Sequence, residues 1–587
     1  MISIGGFGPL LLYLVEKLIM KNLLLPLIFV ALAGCFNQGD EAVSETVENS
    51  SSVVEKILEK APEVDDEYVS IDDPKMDNNA SQASYRLFTA ESNLAINKEA
   101  VIPPQCYTKH EGQHNPCMIC HQNYAYKSRP NYMYDAGLQS AYEFSEYGFT
   151  NRWENLFEDR RERIDAISDS EIVGYINEDN YTPLIKNLEL SENWEGPIPK
   201  IDNLHLGPEA FDDDGFAKDG SFWVAFNYKP LPSTFWPTNG STDDVMIRLP
   251  SDFRETSCAE GNTSKDTYVA NLALLEISFQ ELERVSVPSI DESLICADVN
   301  ADGIISNNVV EVVAQEYYFG KASQVEVAHM LYPQGTEFIH SVRYVGVDDN
   351  KGITVPPRMK ELRYMVKTHF RSDAWLESAY GNEQQEKVDG LLPKYVYRPE
   401  GSANEFGWNL LGFIEDEEGR LRVQNREETQ FCMGCHTTVG STIDQTFAFA
   451  RKVTGAAGWG YINTRGMADA PSKAWEDNEI LEYLRAVGGG DEFRQNDEML
   501  DKWFNPDGTV REDAVRAADV YTLISPSRER ALALNKAYKT IVDDQDFHHG
   551  RDANLKPAVN VYREVDENSP VLPGEKTRAY DIRLRWD

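Results

Sequence analysis

The distribution of apolar and polar positions divides the chain into unlike stretches. Leu23–Ala31 is an apolar run behind Met20-Lys21-Asn22, and it is too short to span a bilayer. From Phe36 to about Ser84 apolar residues become sparse and Ser, Asn, Asp and Glu dominate. Such a stretch cannot bury enough apolar surface to order itself, so residues 36–84 are predicted to be an acidic disordered tether, with a short helix near Val53–Lys60. Folded sequence begins near Tyr85. The spacing over Arg152–Ser168 predicts an amphipathic helix, and SDSEIVGYI predicts a second one capped by Ser168 or Asp169. Alternating apolar and aromatic residues at Phe222–Pro230 and Asp244–Pro250 predict strands. Residues 251–320 read as a polar, acidic insert. Strand patterning returns in EFIHSVRYVGV, MKELRYMVKTHF and LLGFIEDEEGRLRV, the last a hairpin turning at Glu418-Gly419. Helical patterning closes the chain at Ala474–Val487 and Ser527–Asp544, while Gly488-Gly489-Gly490 is loop punctuation. The implied class is α+β and multi-domain.

Composition sharpens this picture. A hydrophobic fraction of 41% with 11% aromatics supports real cores across 587 residues. Ninety-seven acidic residues against 56 basic ones give a formal charge of −41, which argues against nucleic-acid binding and docking on anionic lipid. It suits an exported protein that attracts basic electron-transfer partners at low salt. Leu32-Ala33-Gly34-Cys35 matches a lipobox, in which small residues precede a cysteine that is acylated after cleavage. Residues 1–35 are therefore a lipoprotein signal, and Glu16 and Lys17 ahead of it place the true start at Met20. Several acyl chains on Cys35 would hold the protein firmly to a membrane. Phe36 stands where lipoproteins kept at the inner membrane carry aspartate, which favours the outer membrane, facing the periplasm or the cell surface.

The chemistry lies in a pentapeptide present twice, CMICH at Cys117–His121 and CMGCH at Cys432–His436. Cys-x-x-Cys-His is the c-type haem attachment sequence. Its two thiols form thioethers to one porphyrin, and the adjacent imidazole falls beneath the iron. Cys117, Cys120, Cys432 and Cys435 are the expected anchors of two haems, with His121 and His436 as proximal ligands. A zinc knuckle would bring its ligand pairs within a few tens of residues, but these lie about 315 apart. A thioredoxin-like pair needs neither histidine. Residues 85–250 and 321–587 are thus read as two helical haem-binding segments on a strand-rich and irregular scaffold. Candidates for the sixth ligand are His110 or His114 at the first haem and His329, His340, Met330, Met359 or Met365 at the second, with His548-His549 a weaker pair.

Three further cysteines remain once the motifs and Cys35 are set aside. Cys258–Cys296 is the favoured disulfide in an oxidising compartment, and Cys106 lies eleven residues before Cys117, close enough to touch the first haem. The insert also holds Asp298-Val-Asn300-Ala-Asp302-Gly303-Ile304-Ile305-Ser306, which resembles the first nine positions of an EF-hand or dockerin-type calcium loop. Side chains of Asp298, Asn300, Asp302 and Ser306 and the carbonyl of Ile304 would bind the ion. Val309 replaces the acid at position twelve, so Glu311 or another segment would have to serve.

The two pentapeptides and the lipobox resemble the large dihaem c-type cytochrome lipoproteins of Gram-negative bacteria. That resemblance implies electron transfer in the cell envelope, with other cytochromes or quinol-linked donors as partners and the membrane reached through the lipid. Bacterial dihaem peroxidases carry the same motifs closer together in a shorter chain, so their activity is not carried over. Two alternatives stand beside the relay: a haem oxidoreductase, peroxidase-like or acting on a small molecule, with one open iron, and a haem-based redox or ligand sensor.

Overall fold

The computed structural model describes residues 85–89, 102–123, 130–258, 261–389, 391, 395–488 and 496–586. All belong to one compact unit, Lys75–Asp587. The apolar run, Cys35 and the acidic stretch to Ser84 lie outside the described residues. Strands follow in chain order as β1 (Val224–Ala225), β2 (Thr242–Arg248), β3 (Arg284–Ile290), β4 (Val309–Val313), β5 (Glu337–Arg343), β6 (Gly346–Asp348), β7 (Gly352–Thr354), β8 (Met359–Lys367), β9 (Ser402–Ala403), β10 (Trp408–Glu415) and β11 (Leu421–Val423). One antiparallel sheet runs β1-β2-β5-β8-β10-β11, with β9 beside β10, while β3-β4 and β6-β7 are separate hairpins. The fold is α+β. The sheet takes strands from both sides of residues 251–320, so the two motif-bearing segments share one core.

Alternation along the strands sorts side chains onto two faces. Met246, Ile339, Leu362, Leu411 and Phe413 face a core closed by Tyr181, Leu184, Ile185 and Leu188 of the helix Tyr181–Leu190. Val245, Phe338 and Met365 face the other way, toward the larger core. The helices that matter to the site are α1 (Asp169–Ile176), α2 (Lys265–Gln280), α3 (Asp373–Val388), α4 (Arg426–Met433), α5 (Glu479–Val487) and α6 (Arg528–Asp544). Ser168, Ser264, Ser372 and Ser527 each cap a helix by accepting an amide three residues on. Asn425 and Glu428 form a reciprocal capping box on α4.

Two expectations are corrected. Arg152–Ser168 is not one helix: a 3-10 turn at Glu154–Phe157 precedes a short helix at Arg161–Ala166. Asn155 in the turn and Arg160 in the break are drawn into tertiary bonds, Asn155 to the carbonyls of Asp546 and Gly550 and Arg160 to Asp544. The insert is not simply polar. Its α2 buries nearly every side chain, and Glu276 within it pairs with buried Lys452 at 2.8 Å.

The larger core also encloses charge. Glu479 at the start of α5 accepts from Arg451 at 2.6 and 2.8 Å, from Lys229 at 2.9 Å and from Tyr580 at 2.8 Å. Lys229 also meets Asp469 at 2.5 Å. All five side chains are buried, and they tie β1's neighbourhood to the C-terminal segment. A buried ion group of this kind holds only while each charge keeps its partner.

Candidate functional site

Each Cys-x-x-Cys-His sequence closes one helical turn. The His121 amide donates to the Cys117 carbonyl at 2.9 Å, and the His436 amide donates to the Cys432 carbonyl at 2.9 Å. The first turn is 3-10 and is held by Asn115, whose side-chain oxygen accepts from the Cys117 amide at 2.6 Å. The second continues from the last residues of α4, whose Glu428 is clamped by Arg422 at 2.8 and 2.9 Å. Both imidazoles are oriented from behind. His121 Nδ1 lies 2.9 Å from Asp135 Oδ2, and His436 Nδ1 lies 2.9 Å from the Gln445 carbonyl. An acceptor at Nδ1 fixes the proton there in the neutral ring and leaves the lone pair on Nε2, the usual second sphere of a metal-bound histidine. Burial pushes the Cys117 thiol up to about 12 and Cys435 to about 11. A thioredoxin-like pair needs the opposite shift.

The two motifs meet. Cys117, Cys120, His121, Cys432, Cys435 and His436 all line one cavity of about 440 Å³. Its opposite wall is the sheet face carrying Asp243 and Val245 of β2, Phe338, His340 and Val342 of β5, and Glu361, Arg363 and Met365 of β8. These are alternate residues in register: His340 lies opposite Val245 on one side and Arg363 on the other. The chain after the second motif is bonded to the first. The Ser441 amide donates to the Cys120 carbonyl at 2.9 Å, and Asn131 Nδ2 donates to the carbonyls of Val439 and Thr442 at 2.9 and 3.0 Å. Asp135 accepts from the Gln122 amide at 2.9 Å and from the Gly440 amide at 3.2 Å while holding His121. Burial works against its charge, but His121 and Lys387 hold its carboxyl below the usual carboxylate value. Cys106 also lines the cavity, near enough to Cys117 and Cys435 to interact with both.

The sixth-ligand candidates separate. His110 is at the wall, stacked on Tyr142 at 4.5 Å with Nε2 3.4 Å from Cys117 Sγ, and burial lowers it to about 4. His114 sits against Gly488 and is not at the wall. His340 and Met365 are at the wall, whereas His329 is exposed and pairs with Glu281 at 3.1 Å. Met359 faces the core behind the sheet, and Met330 is buried in the larger core away from the wall. His340 Nε2 approaches Asp243 at 3.3 Å without hydrogen-bond alignment, and Tyr228 donates to the same carboxylate at 2.5 Å. Sequence patterning missed Asp135, Gln445, Arg363 and Asp243. The strand alternation could have put Asp243 and Arg363 on the face of His340, but no local signal marks Asp135 or Gln445.

The model of a family described as "-like lipoprotein" matches residues 91–523, a span that includes both motifs. The chain belongs to this lipoprotein family. An uncharacterized lipoprotein of Aquifex aeolicus (strain VF5) is 30% identical over 519 residues, covering 78% of this chain and 86% of its own length. No solved structure matches. Membrane anchoring follows from the lipoprotein family, and among the described residues no helix is long and apolar enough to cross a membrane. Cys35 lies outside the described residues.

Elsewhere in the lipoprotein, Cys258 and Cys296 are joined by a disulfide with 5.7 Å between Cα atoms. In the adjacent loop Gly303 has a φ of +83°, and the side-chain oxygens of Asp298, Asn300 and Asp302 accept from the amides of Asp302, Gly303 and Ile304. Glu292, fully buried, accepts from the Val299 and Ser306 amides at 2.7 and 2.9 Å and ties the loop's two ends together. Glu311 faces Arg284 at 2.8 Å, across the β3-β4 pair. The turn Asp546–His549 lies apart from the cavity walls.

Proposed function

We propose that this lipoprotein holds two covalently attached c-type haems in one cavity and relays electrons in the bacterial cell envelope. The observation that carries the reading is the shared cavity: both Cys-x-x-Cys-His turns open onto it, each with a histidine whose Nδ1 is tied back. Bound there, each haem would supply an iron that takes up and gives back one electron. The chain's own part is to orient His121 and His436, to exclude water with Phe338, Val342 and Phe431, and to keep the two anchors close. His110 is the candidate sixth ligand on the first side and His340 or Met365 on the second. The donors and acceptors are redox proteins such as other cytochromes or quinol-linked donors, met at the outer membrane. A pyridine haemochrome assay should give two haems per chain, and one after Cys432→Ala with Cys435→Ala. One haem or none in the native chain overturns the reading.

A second reading, a haem oxidoreductase or sensor with one open iron, is favoured by a specific feature. The wall beside Cys432 and His436 presents His340, backed by Asp243 and Tyr228, next to Arg363, and a relay that takes Met365 as its sixth ligand does not need these polar groups. Absorption spectra separate the two. Two low-spin haems indifferent to cyanide indicate the relay, and a high-spin haem that binds it indicates the open site. We also propose that the loop Asp298–Ser306 takes one calcium ion in a structural role.

A further inference from the structure

A group of metal-type side chains stands outside the cavity, on the turn that follows α6. His549 Nδ1 lies 2.8 Å from both carboxylate oxygens of Asp546, and His548 Nε2 lies 3.1 Å from Asp546 Oδ1. The two imidazole rings are 4.2 Å apart, and one ligand atom from each of the three residues falls within 4.8 Å of the others. We propose that Asp546, His548 and His549 form a binding site for a divalent transition-metal ion of the zinc and copper class.

The turn holds these donors in place. Phe547 between them is fully buried, and Asn155 Nδ2 bonds the carbonyls of Asp546 and Gly550 at 2.9 and 3.0 Å, on either side of the histidines. Gly550 has a φ of +127° and packs on Trp153, where a side chain would crowd the indole. With Phe547 as an inward anchor, Asp546, His548 and His549 are left about one-third exposed and reachable from solvent. Ligand atoms about 2.0–2.1 Å from a tetrahedral ion lie roughly 3.4 Å apart. The present separations are 2.8 Å for the His549 hydrogen bond and 3.1 Å for the His548 ion pair, so small side-chain rotations open the spacing an ion needs. Glu154 and Glu427 add to the negative field at His549, and α4, which bears Glu427, packs on this turn. Two imidazoles with one carboxylate suit zinc or copper and not calcium or magnesium, which take oxygen ligands. Three protein donors leave the fourth position to water.

The competing explanation is a plain Asp–His ion-pair cluster. Isothermal titration of zinc alone into the full chain as purified, stripped with a chelator and dialysed at neutral pH, separates the two. The site predicts one ion per chain, displaced by copper and untouched by calcium. His548→Gln and His549→Gln should each weaken binding by about tenfold or more. His329→Gln, at an exposed histidine paired with Glu281, should change nothing. His548 makes a single ion pair, so its variant is expected to fold, and its melting curve is read alongside. No zinc uptake by the native chain, or uptake unchanged when His548 and His549 are both replaced by Gln, overturns the proposal. Haem absorbance on the same samples reports separately on the relay.

Discussion

Asp135 is the residue on which both halves of the site turn. Its carboxylate serves the His121 ring, the Gln122 amide and the Gly440 amide together. Asp135→Ala strands these buried donors, and unsatisfied buried groups cost about 1–3 kcal/mol. Urea denaturation should show a loss of that size, with Asp135→Asn less affected. On the relay reading the midpoint potential of one haem should rise while the other stays put, because one imidazole becomes a poorer donor. Glu479 is decided by charge. Burial opposes its ionisation, but Arg451 and Lys229 overcome this and hold its carboxyl at about 2. A carboxyl depressed in the folded state stabilises the protein above its unfolded value and loses that contribution as pH falls toward the folded one. Stability should therefore drop between about pH 4.3 and pH 2. Glu479→Gln should flatten that limb and cost about 3–5 kcal/mol at neutral pH, since Arg451 is left buried without its partner. Chemical denaturation across the pH range tests both statements.

At the scale of elements, β2, β5, β8 and the β10-β11 hairpin were legible because alternation is a local signal and the sheet realises it. A cap is a local signal too: of the two residues the sequence offered there, Ser168 and Asp169, the helix uses Ser168. Helix α2 was not legible. It is buried nearly all round, Asn271, Glu276 and Gln280 included, so it shows no stripe, and its polar flanks hid it within an acidic stretch. The cysteines beside it suggested a bridge, yet only the fold shows that Cys258–Cys296 staples the insert whose helix is core. Replacing both cysteines by serine should lower stability by about 2–4 kcal/mol, read by denaturation under non-reducing conditions. The neighbouring loop gives a separate test. Calcium should stabilise the protein by about 2.7 kcal/mol when free ion is a hundredfold above its dissociation constant. On the calcium reading chelation should lower the melting temperature, on the dihaem reading it should release no haem, and Asp298→Ala should remove the difference. Melting that ignores calcium would reduce the loop to a set of side-chain-capped turns.

For the whole molecule, the motifs were legible as pentapeptides but their meeting was not. Segments some 315 residues apart converge on one cavity whose opposite wall is built by β2, β5 and β8, a long-range arrangement without local trace. Motif spacing suggested separate haem segments, while the sheet and the Asp135, Asn131 and Ser441 bonds make one site. The family matches lipoproteins, and the anchor can be tested directly. Cys35→Ala should shift the protein from the membrane fraction to the soluble one and, on the dihaem reading, leave its haem content unchanged. Unchanged fractionation would remove Cys35 from the account.

The bond from Ser441 to the first motif's backbone bears on how such a chain is made. Cys117 leaves the export channel long before Cys432, yet the pocket around it is completed only when the residues after His436 return to cover it. On the dihaem reading, a maturation enzyme must load the first porphyrin before the residues after His436 fold over it. The first cofactor then waits in water until the second half arrives. Slow synthesis between the motifs would lengthen that wait, and a chain cut short after β8 would carry a single, unsheltered haem open to oxidants.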